Sequence, residues 1–425
     1  MPKINMHFFI TVISLLMLPF AVLYWLVPFW SDLTIGNDYI VYGIQAQIDL
    51  NHSLAHDSFP LYGPGFSGGH STAAMTLAQL YHPISHLARL VPGYWDGQAI
   101  EIYTTIKLLS LGIAHIALFF AFRVYGANSA LAFLVTGLVI YNMKMLDHFR
   151  YGAALEAYTA MIILASCVLV FYARRDKLAP KLGIIVSSYL LVSSGHPQMA
   201  YLAFLSIGVL MLFLPSIYAL FVEQRNELLI REGSSRLCFA GILIIIGIAL
   251  ALPYISTFVF EFMSLNSART NNDYAWSLGY GDTWGGVLRN FYMPLQADVG
   301  TGFGGSALWL LVFLVPFVRI FGLTPDRIIW CMYALILFIL VVCMGDASPL
   351  YKLVWGFLPL ADNFRLPGRY ATLMLLPTAF LLFWLLKSAS KSTFKLTSNS
   401  RVSALTMLSL LTGCLLALLF FSVNS

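Results

Sequence analysis

Asp32 and Asp38 are the earliest carboxylates in the chain, and Asp38 closes the run Thr34-Ile35-Gly36-Asn37-Asp38 just past the first long apolar stretch. An aspartate near a bilayer but open to a wet cleft can take a proton from a hydroxyl as a general base. Asp38 is therefore the first candidate for catalysis and Asp32 the alternative base; as single loop carboxylates, both also read as helix caps or solvated groups. At the other end of the chain stands Asp362-Asn363-Phe364-Arg365-Leu366-Pro367-Gly368-Arg369-Tyr370. Two arginines four residues apart at a predicted helix start oppose the positive end of the helix dipole, and an anion would relieve that conflict. Arg365 and Arg369 are thus candidate phosphate ligands, since a guanidinium binds two oxygens at once. Their alternative is pairing with Asp362, Asp346 or lipid headgroups.

Two further runs stand out. Gly63-Pro64-Gly65-Phe66-Ser67-Gly68-Gly69-His70 is a glycine-rich turn that lets backbone approach a ligand closely. It is not a phosphate loop, because the chain nowhere contains GxxxxGK followed by Ser or Thr. Ser193-Ser194-Gly195-His196-Pro197-Gln198 places Pro197 at a first helical position, with His196 and Gln198 at the helix start. This run reads equally as a tight helical hairpin cap. His52 and His56, and again His82 and His86, have the i, i+4 spacing of metal ligands. No acidic or cysteine ligand accompanies them at a diagnostic spacing, so no metal cofactor is assigned, a divalent ion remaining the alternative. Arg150 and Glu156 read as a structural charge pair or as the lining of the same cavity.

The elements that must position these residues are membrane spans. Of 425 residues, 59% are hydrophobic and 10% charged, which excludes an ordinary soluble domain. Stretches long enough to cross a bilayer recur at 7–29, 102–124, 127–143, 154–173, 180–194, 199–222, 237–260, 305–322, 327–344, 369–387 and 403–421. The expectation is an all-α polytopic bundle of about 11 helices in one transmembrane domain, 1–425. The first span follows Lys3, is too long for a signal-peptide core and lacks a small-x-small cleavage site, so it is expected to be retained. With a cytoplasmic N-terminus, fifteen Lys and Arg fall inside and eight outside, as the positive-inside rule requires.

The net charge of +5 is dispersed over inner loops rather than gathered in one stripe, so no nucleic-acid partner is expected. All five cysteines lie in predicted spans, which leaves neither a disulfide framework nor a CxxC metal site. The long outer segments 31–100, 261–304 and 345–368 are rich in Gly, Trp, Tyr, Asp and Pro, and long ordered loops usually carry function. In the first of them Leu77, Leu80, Tyr81, Ile84, Leu87 and Leu90 fall at helical spacing, predicting one or two interfacial helices broken near Pro83.

Gly36-Asn37-Asp38 with Gln45, the glycine-rich turn, Gly195-His196-Pro197-Gln198 and Phe364-Arg365-Leu366-Pro367-Gly368-Arg369 together resemble the bacterial YfhO-type membrane proteins, relatives of the GT-C class of glycosyltransferases. The resemblance covers most of the chain in order. It implies a GT-C-like bundle with interfacial helices and a catalytic Asp, here Asp38, in the first outer loop. It also implies a polyprenyl-phosphate-linked sugar as donor, and membrane lipids with a glycan, teichoic-acid-like or protein acceptor as partners. Arg365, Arg369 and His196 would hold the donor phosphate, and Gln198, Gln45 and His70 would bind substrate. The expected location is the bacterial inner membrane, N-terminus cytoplasmic and active site extracytoplasmic. A lipid-linked donor agrees with the absence of a nucleotide-binding motif. Trp276, Trp284 and Tyr292 read as sugar-stacking residues or as an interfacial aromatic belt.

Two other classes compete. A flippase or carrier for a lipid-linked or anionic substrate would use the same arginines, but predicts ionisable residues deep in the spans. Lys107, His115 and Glu156 are nearly the only candidates for that. A structural membrane subunit would use the outer loops to bind a partner.

Overall fold

The computed structural model describes residues 6–26, 45–56, 62–63, 70–71, 79, 81–141, 152–222, 227–264, 273–278, 315–321 and 323–395. Its elements are helical apart from one short pairing. In order they are α1 (Met6–Leu26), α2 (Gln45–Ala55), the strands β1 (Tyr62–Gly63) and β2 (His70–Ser71), α3 (Pro83–Ala88), α4 (Ala99–Val124), α5 (Ser129–Ile140) and α6 (Gly152–Ala173). There follow α7 (Leu178–Ser193), α8 (Pro197–Val222), α9 (Glu227–Leu250), α10 (Leu252–Ser264), α11 (Tyr274–Leu278), α12 (Arg327–Cys343), α13 (Pro349–Phe357) and α14 (Leu375–Lys395). A π-type turn, Tyr94–Gln98, leads into α4, and a 3-10 segment, Pro367–Met374, leads into α14.

Five of these stretches, Tyr94–Val124, Gly152–Ala173, Pro197–Val222, Glu232–Leu250 and Pro367–Ser388, are long and apolar enough to cross a membrane. Shorter apolar helices lie at Phe8–Val22, Ser129–Ile140, Leu178–Ser193 and Arg327–Cys343. These are the marks of a helical membrane protein. The expected span 237–260 is divided at Ala251, with α9 ending before it and α10 starting after it. Pro253 explains the division: it lacks an N–H and its ring would collide with a carbonyl one turn back, so it is accommodated in a first turn. The span expected at 403–421 and the ten residues 305–314 of another lie outside the described residues.

By its internal packing the described chain divides into two compact units. Unit 1 holds residues 1–124, 148–207 and 225–270, and unit 2 holds 125–147, 208–224 and 271–425. One of the boundaries, between residues 207 and 208, falls inside α8. In unit 1, α6 packs against α4 and α7, α9 packs on α7, and α1 on α4. Helix α6 is buried along nearly its whole length, so it needs apolar or small residues on every face. Two glycines allow close approach of one helix to the backbone of another. A Cβ at Gly112 would stand 2.7 Å from the Leu16 carbonyl oxygen of α1, and one at Gly247 would collide with the Ile185 carbonyl of α7. Small residues at such crossings let backbones pack where water supplies no driving force.

In unit 2, α12 packs on the Pro367–Met374 segment and on α14, and α14 also meets α5. The Lys387 ammonium donates to the carbonyl of Phe221 in the last turn of α8 at 2.9 Å, a favourable place for a cation at the negative helix end. It also lies 5.5 Å from the ring centres of Phe221 and Phe383. The carbonyl of Ser277 in α11 accepts from the Leu366 amide at 3.0 Å and from the Tyr351 hydroxyl at 3.3 Å.

Candidate functional site

Unit 1 gathers its polar groups at one end of the bundle. Glu156, in the second turn of α6, is 2% exposed, and Lys107 of α4 is fully buried beside it, Nζ to Oε1 3.7 Å. The Gln79 amide nitrogen donates to Glu156 Oε2 and to the backbone carbonyl of Ser194. Gln79 in turn accepts from the amide of Gln47, on the buried face of α2. His82 places Nδ1 3.8 Å from Glu156 Oε2. Gln79 adopts a left-handed backbone, φ 53°, a conformation that costs a non-glycine residue about 1 kcal/mol or more. Its side-chain bonds to two helices and to α2 hold it there.

The arrangement concentrates charge where solvation is poorest. An isolated buried carboxylate would be prohibitively costly, and Lys107, Gln79 and the nearby imidazole share the compensation. Burial holds the His82 imidazole below its ordinary value of 6.5; Glu156 opposes that shift, while Lys107 and His86 add to it. His82 is therefore neutral near pH 7. Among the described residues, His82 Nδ1, Glu156 Oε1 and Ser194 Oγ make no hydrogen bond. At 3.8 Å the imidazole nitrogen and the carboxylate oxygen stand beyond direct hydrogen-bond reach.

A second layer fixes the loop around this centre. The amide nitrogen of Asn51, in α2, reaches the Ser85 carbonyl at 3.1 Å, the Tyr94 hydroxyl at 2.8 Å and the Tyr103 hydroxyl at 3.1 Å. Tyr94 and Tyr103 meet edge to face, ring centres 5.9 Å apart. One side chain thus ties α2, α3, the turn before α4, and α4 itself.

The residues expected from sequence distribute as follows. Asp32, Asp38 and Arg150 lie outside the described residues. Gln45 opens α2 on its exposed side, and its amide donates to Asp49 at 3.2 Å, a pair within one helical turn. His70 belongs to β2, where Gly63 pairs with His70 and Tyr62 with Ser71, so the ends of the glycine-rich run are closed as a hairpin. His196 is half-buried and its Nδ1 accepts from the amide of Met199 at 3.2 Å, capping α8; Gln198 is buried. Glu156, expected with Arg150 as a structural pair, has Lys107 beside it; Arg150 lies outside the described residues, so the expected pair is untouched by this contact.

In unit 2, Arg365 is exposed and its guanidinium lies 5.9 Å from the Trp276 ring centre, a cation–π arrangement. Arg369 is half-buried within the Pro367–Met374 segment. The dipole conflict proposed for the two arginines is softened, because the segment that follows is a 3-10 turn rather than the first turn of α14. Trp276, one of the three expected aromatics, thus stands beside an arginine of the phosphate motif; Trp284 and Tyr292 lie outside the described residues.

Sequence reading named His82 in a spaced histidine pair and Lys107 as a charge within a span, but joined neither of them, nor Gln47 and Gln79, to Glu156 in one centre. Lys107 carried a usable signal, an ammonium within an apolar span. No group of three or more His, Cys, Asp or Glu able to hold a metal ion occurs among the described residues. The paired histidines explain why: the His52 and His56 rings lie together on exposed α2 positions, with His56 Nδ1 bonded to the His52 carbonyl at 2.8 Å, and buried His82 faces Glu156.

No protein-family model matches this chain, no curated protein matches it, and no solved structure matches it.

Proposed function

We propose that the chain is an integral membrane glycosyltransferase of the GT-C type, with about eleven spans, moving a sugar from a polyprenyl-phosphate donor to an extracytoplasmic cell-envelope acceptor. The observation that carries the reading is the clustering at one end of the unit 1 bundle. Glu156 near the start of α6, Ser194 just after α7, Lys107 within three turns of the start of α4, and the loop residues Gln79 and His82 all meet there. An enzyme working on lipid-borne substrates needs such a centre at the membrane rim. The location assigned is the bacterial inner membrane with the N-terminus cytoplasmic.

In this reading the acceptor oxygen attacks the anomeric carbon, its proton passes to Asp38, and the bond from the anomeric carbon to the phosphate oxygen breaks with inversion. Arg365 and Arg369 are assigned to stabilising the departing polyprenyl phosphate, while a phosphate role for His196 is implied by the resemblance alone. Phosphate is a competent leaving group, so the protonating acid of a glycosidase pair is unnecessary. Gln198, Gln45 and His70 are assigned to sugar hydroxyls by the resemblance alone.

One observation favours the second reading, a flippase or carrier for an anionic lipid: Lys107 and Glu156 form a buried ionisable pair inside apolar helices, a common feature of transport pathways. The deciding experiment is transfer from radiolabelled polyprenyl-phosphate sugars by purified protein in lipid, comparing wild type with Asp38→Asn at matched folded yield. Transfer that vanishes in the variant supports the enzyme and its base. No transfer with any donor, together with donor movement between leaflets of proteoliposomes, supports the carrier.

A further inference from the structure

We infer that unit 1 carries a site for an anionic membrane phospholipid, separate from the buried Glu156 centre and independent of the glycosyltransferase reading. The site is an open groove of about 480 Å³ between Tyr189 of α7 and the segment from Tyr81 to Leu90 that contains α3. Its size lies within the range of roughly 300–1,000 Å³ usual for ligand sites. Leu87 and Leu90 form its apolar wall and are 54% and 71% exposed. The exposed strip continues through Val91 to Trp95. A strip of this kind is too apolar to face water without a partner and is suited to acyl chains.

Charge selects among the partners an apolar groove could take. Arg89, half-buried between the two leucines, lines the groove together with His86. Among the described residues no carboxylate pairs with Arg89, and the acid closest to it in sequence, Asp96, is exposed within the π-type turn and does not line the groove. A guanidinium at the edge of an apolar wall matches a phosphodiester whose acyl chains lie along that wall. The aromatic surroundings fit headgroup depth. Tyr189 donates to the Tyr81 carbonyl at 2.6 Å, which fixes the groove floor, and the Tyr254 ring meets Tyr81 edge to face at 6.1 Å. The occupant is therefore a diacyl lipid with an anionic phosphodiester headgroup, such as phosphatidylglycerol, rather than a zwitterionic one.

The test is native mass spectrometry of the full chain in detergent with phosphatidylglycerol or phosphatidylcholine added, alongside photolabelling by phosphatidylglycerol with a photoreactive acyl chain. Wild type should retain the anionic lipid about fivefold better, the factor expected for one arginine near a headgroup. Arg89→Gln should erase that preference, Arg89→Lys should keep part of it, and Arg174→Gln, at the exposed loop after α6, should leave it intact. Photolabel should fall on residues 81–95. Equal retention of both lipids by wild type would overturn the inference, as would full preference in Arg89→Gln or labelling confined to other helices. Displacement of the lipid by inorganic phosphate alone would do the same, identifying a site for an aqueous anion. The photolabelling arm uses wild type only and decides the matter even where a variant does not fold.

Discussion

A buried carboxylate states its own requirements. Among the described residues Glu156 has Lys107 as its cation and Gln79 as an amide donor, so removing either charge of the pair takes from the other its opposite charge in a buried setting. Glu156→Leu and Lys107→Leu should each lower stability by about 3–5 kcal/mol, whereas the double replacement should recover much of that loss. Thermal unfolding of the purified proteins in one detergent checks this, and additive losses in the double variant would show that the two charges are not coupled. His82 supplies a separate pH signature. Its imidazole is held below 6.5 when folded, so the unfolded chain binds the proton more readily. The stability tied to this group is complete above about pH 6.5 and falls as the pH drops towards the folded value. His82→Asn should flatten that part of the profile relative to wild type, and an unchanged acid limb would dissociate His82 from it. Sequence made only part of this centre legible. Lys107 and Glu156 stand out as charges in apolar helices, but Gln79 and Glu156 are 77 residues apart and Gln79 to Ser194 spans 115. No local spacing encodes that meeting.

At the level of elements, caps and breaks were the most readable features and close approaches the least. Pro197 predicted the start of α8, and Pro197–Val222 begins there. Pro83 was expected to break an interfacial helix and instead occupies the first position of one, Pro83–Ala88, because proline's missing N–H costs nothing in a first turn. Helix α2 was not anticipated: its mean hydropathy is low, and its buried face is made by Gln47 and Asn51 as much as by Ala46 and Leu50. An amphipathic pattern cannot show a helix whose inner face is polar. Gly112 and Gly247 were silent for a different reason, since only the partner helix gives a glycine in a span its meaning. Gly247→Leu should separate α7 from α9 and lower the thermal midpoint and folded yield sharply. Gly247→Ala should cost less but remain measurable, because even a Cβ meets the Ile185 carbonyl and lies 2.6 Å from the Ser188 Cβ. A variant Gly247→Leu with wild-type stability would mean that this crossing is loose.

For the molecule as a whole, function turns on which side of the membrane the Glu156 centre faces. Helices α4, α6 and α7 run in succession through unit 1, and the centre lies at the ends of α4 and α6 where those helices begin and of α7 where it ends. The opposite end carries Arg174, Arg175 and Lys177, all exposed. If positive residues mark the cytoplasmic side, the centre faces outward, and the proposed lipid-linked donor rests on that topology, because nucleotide sugars are confined to the cytosol. Two positions in unit 1 test it. In a variant with its five cysteines replaced, Asp96→Cys in the turn before α4 should react with a membrane-impermeant maleimide in intact cells. Asp176→Cys, in the exposed loop after α6, should react only after the membrane is opened. The reverse pattern would place the centre in the cytoplasm, where soluble activated sugars are at hand, and would remove the chemical argument for a polyprenyl-phosphate donor while leaving the helical architecture untouched.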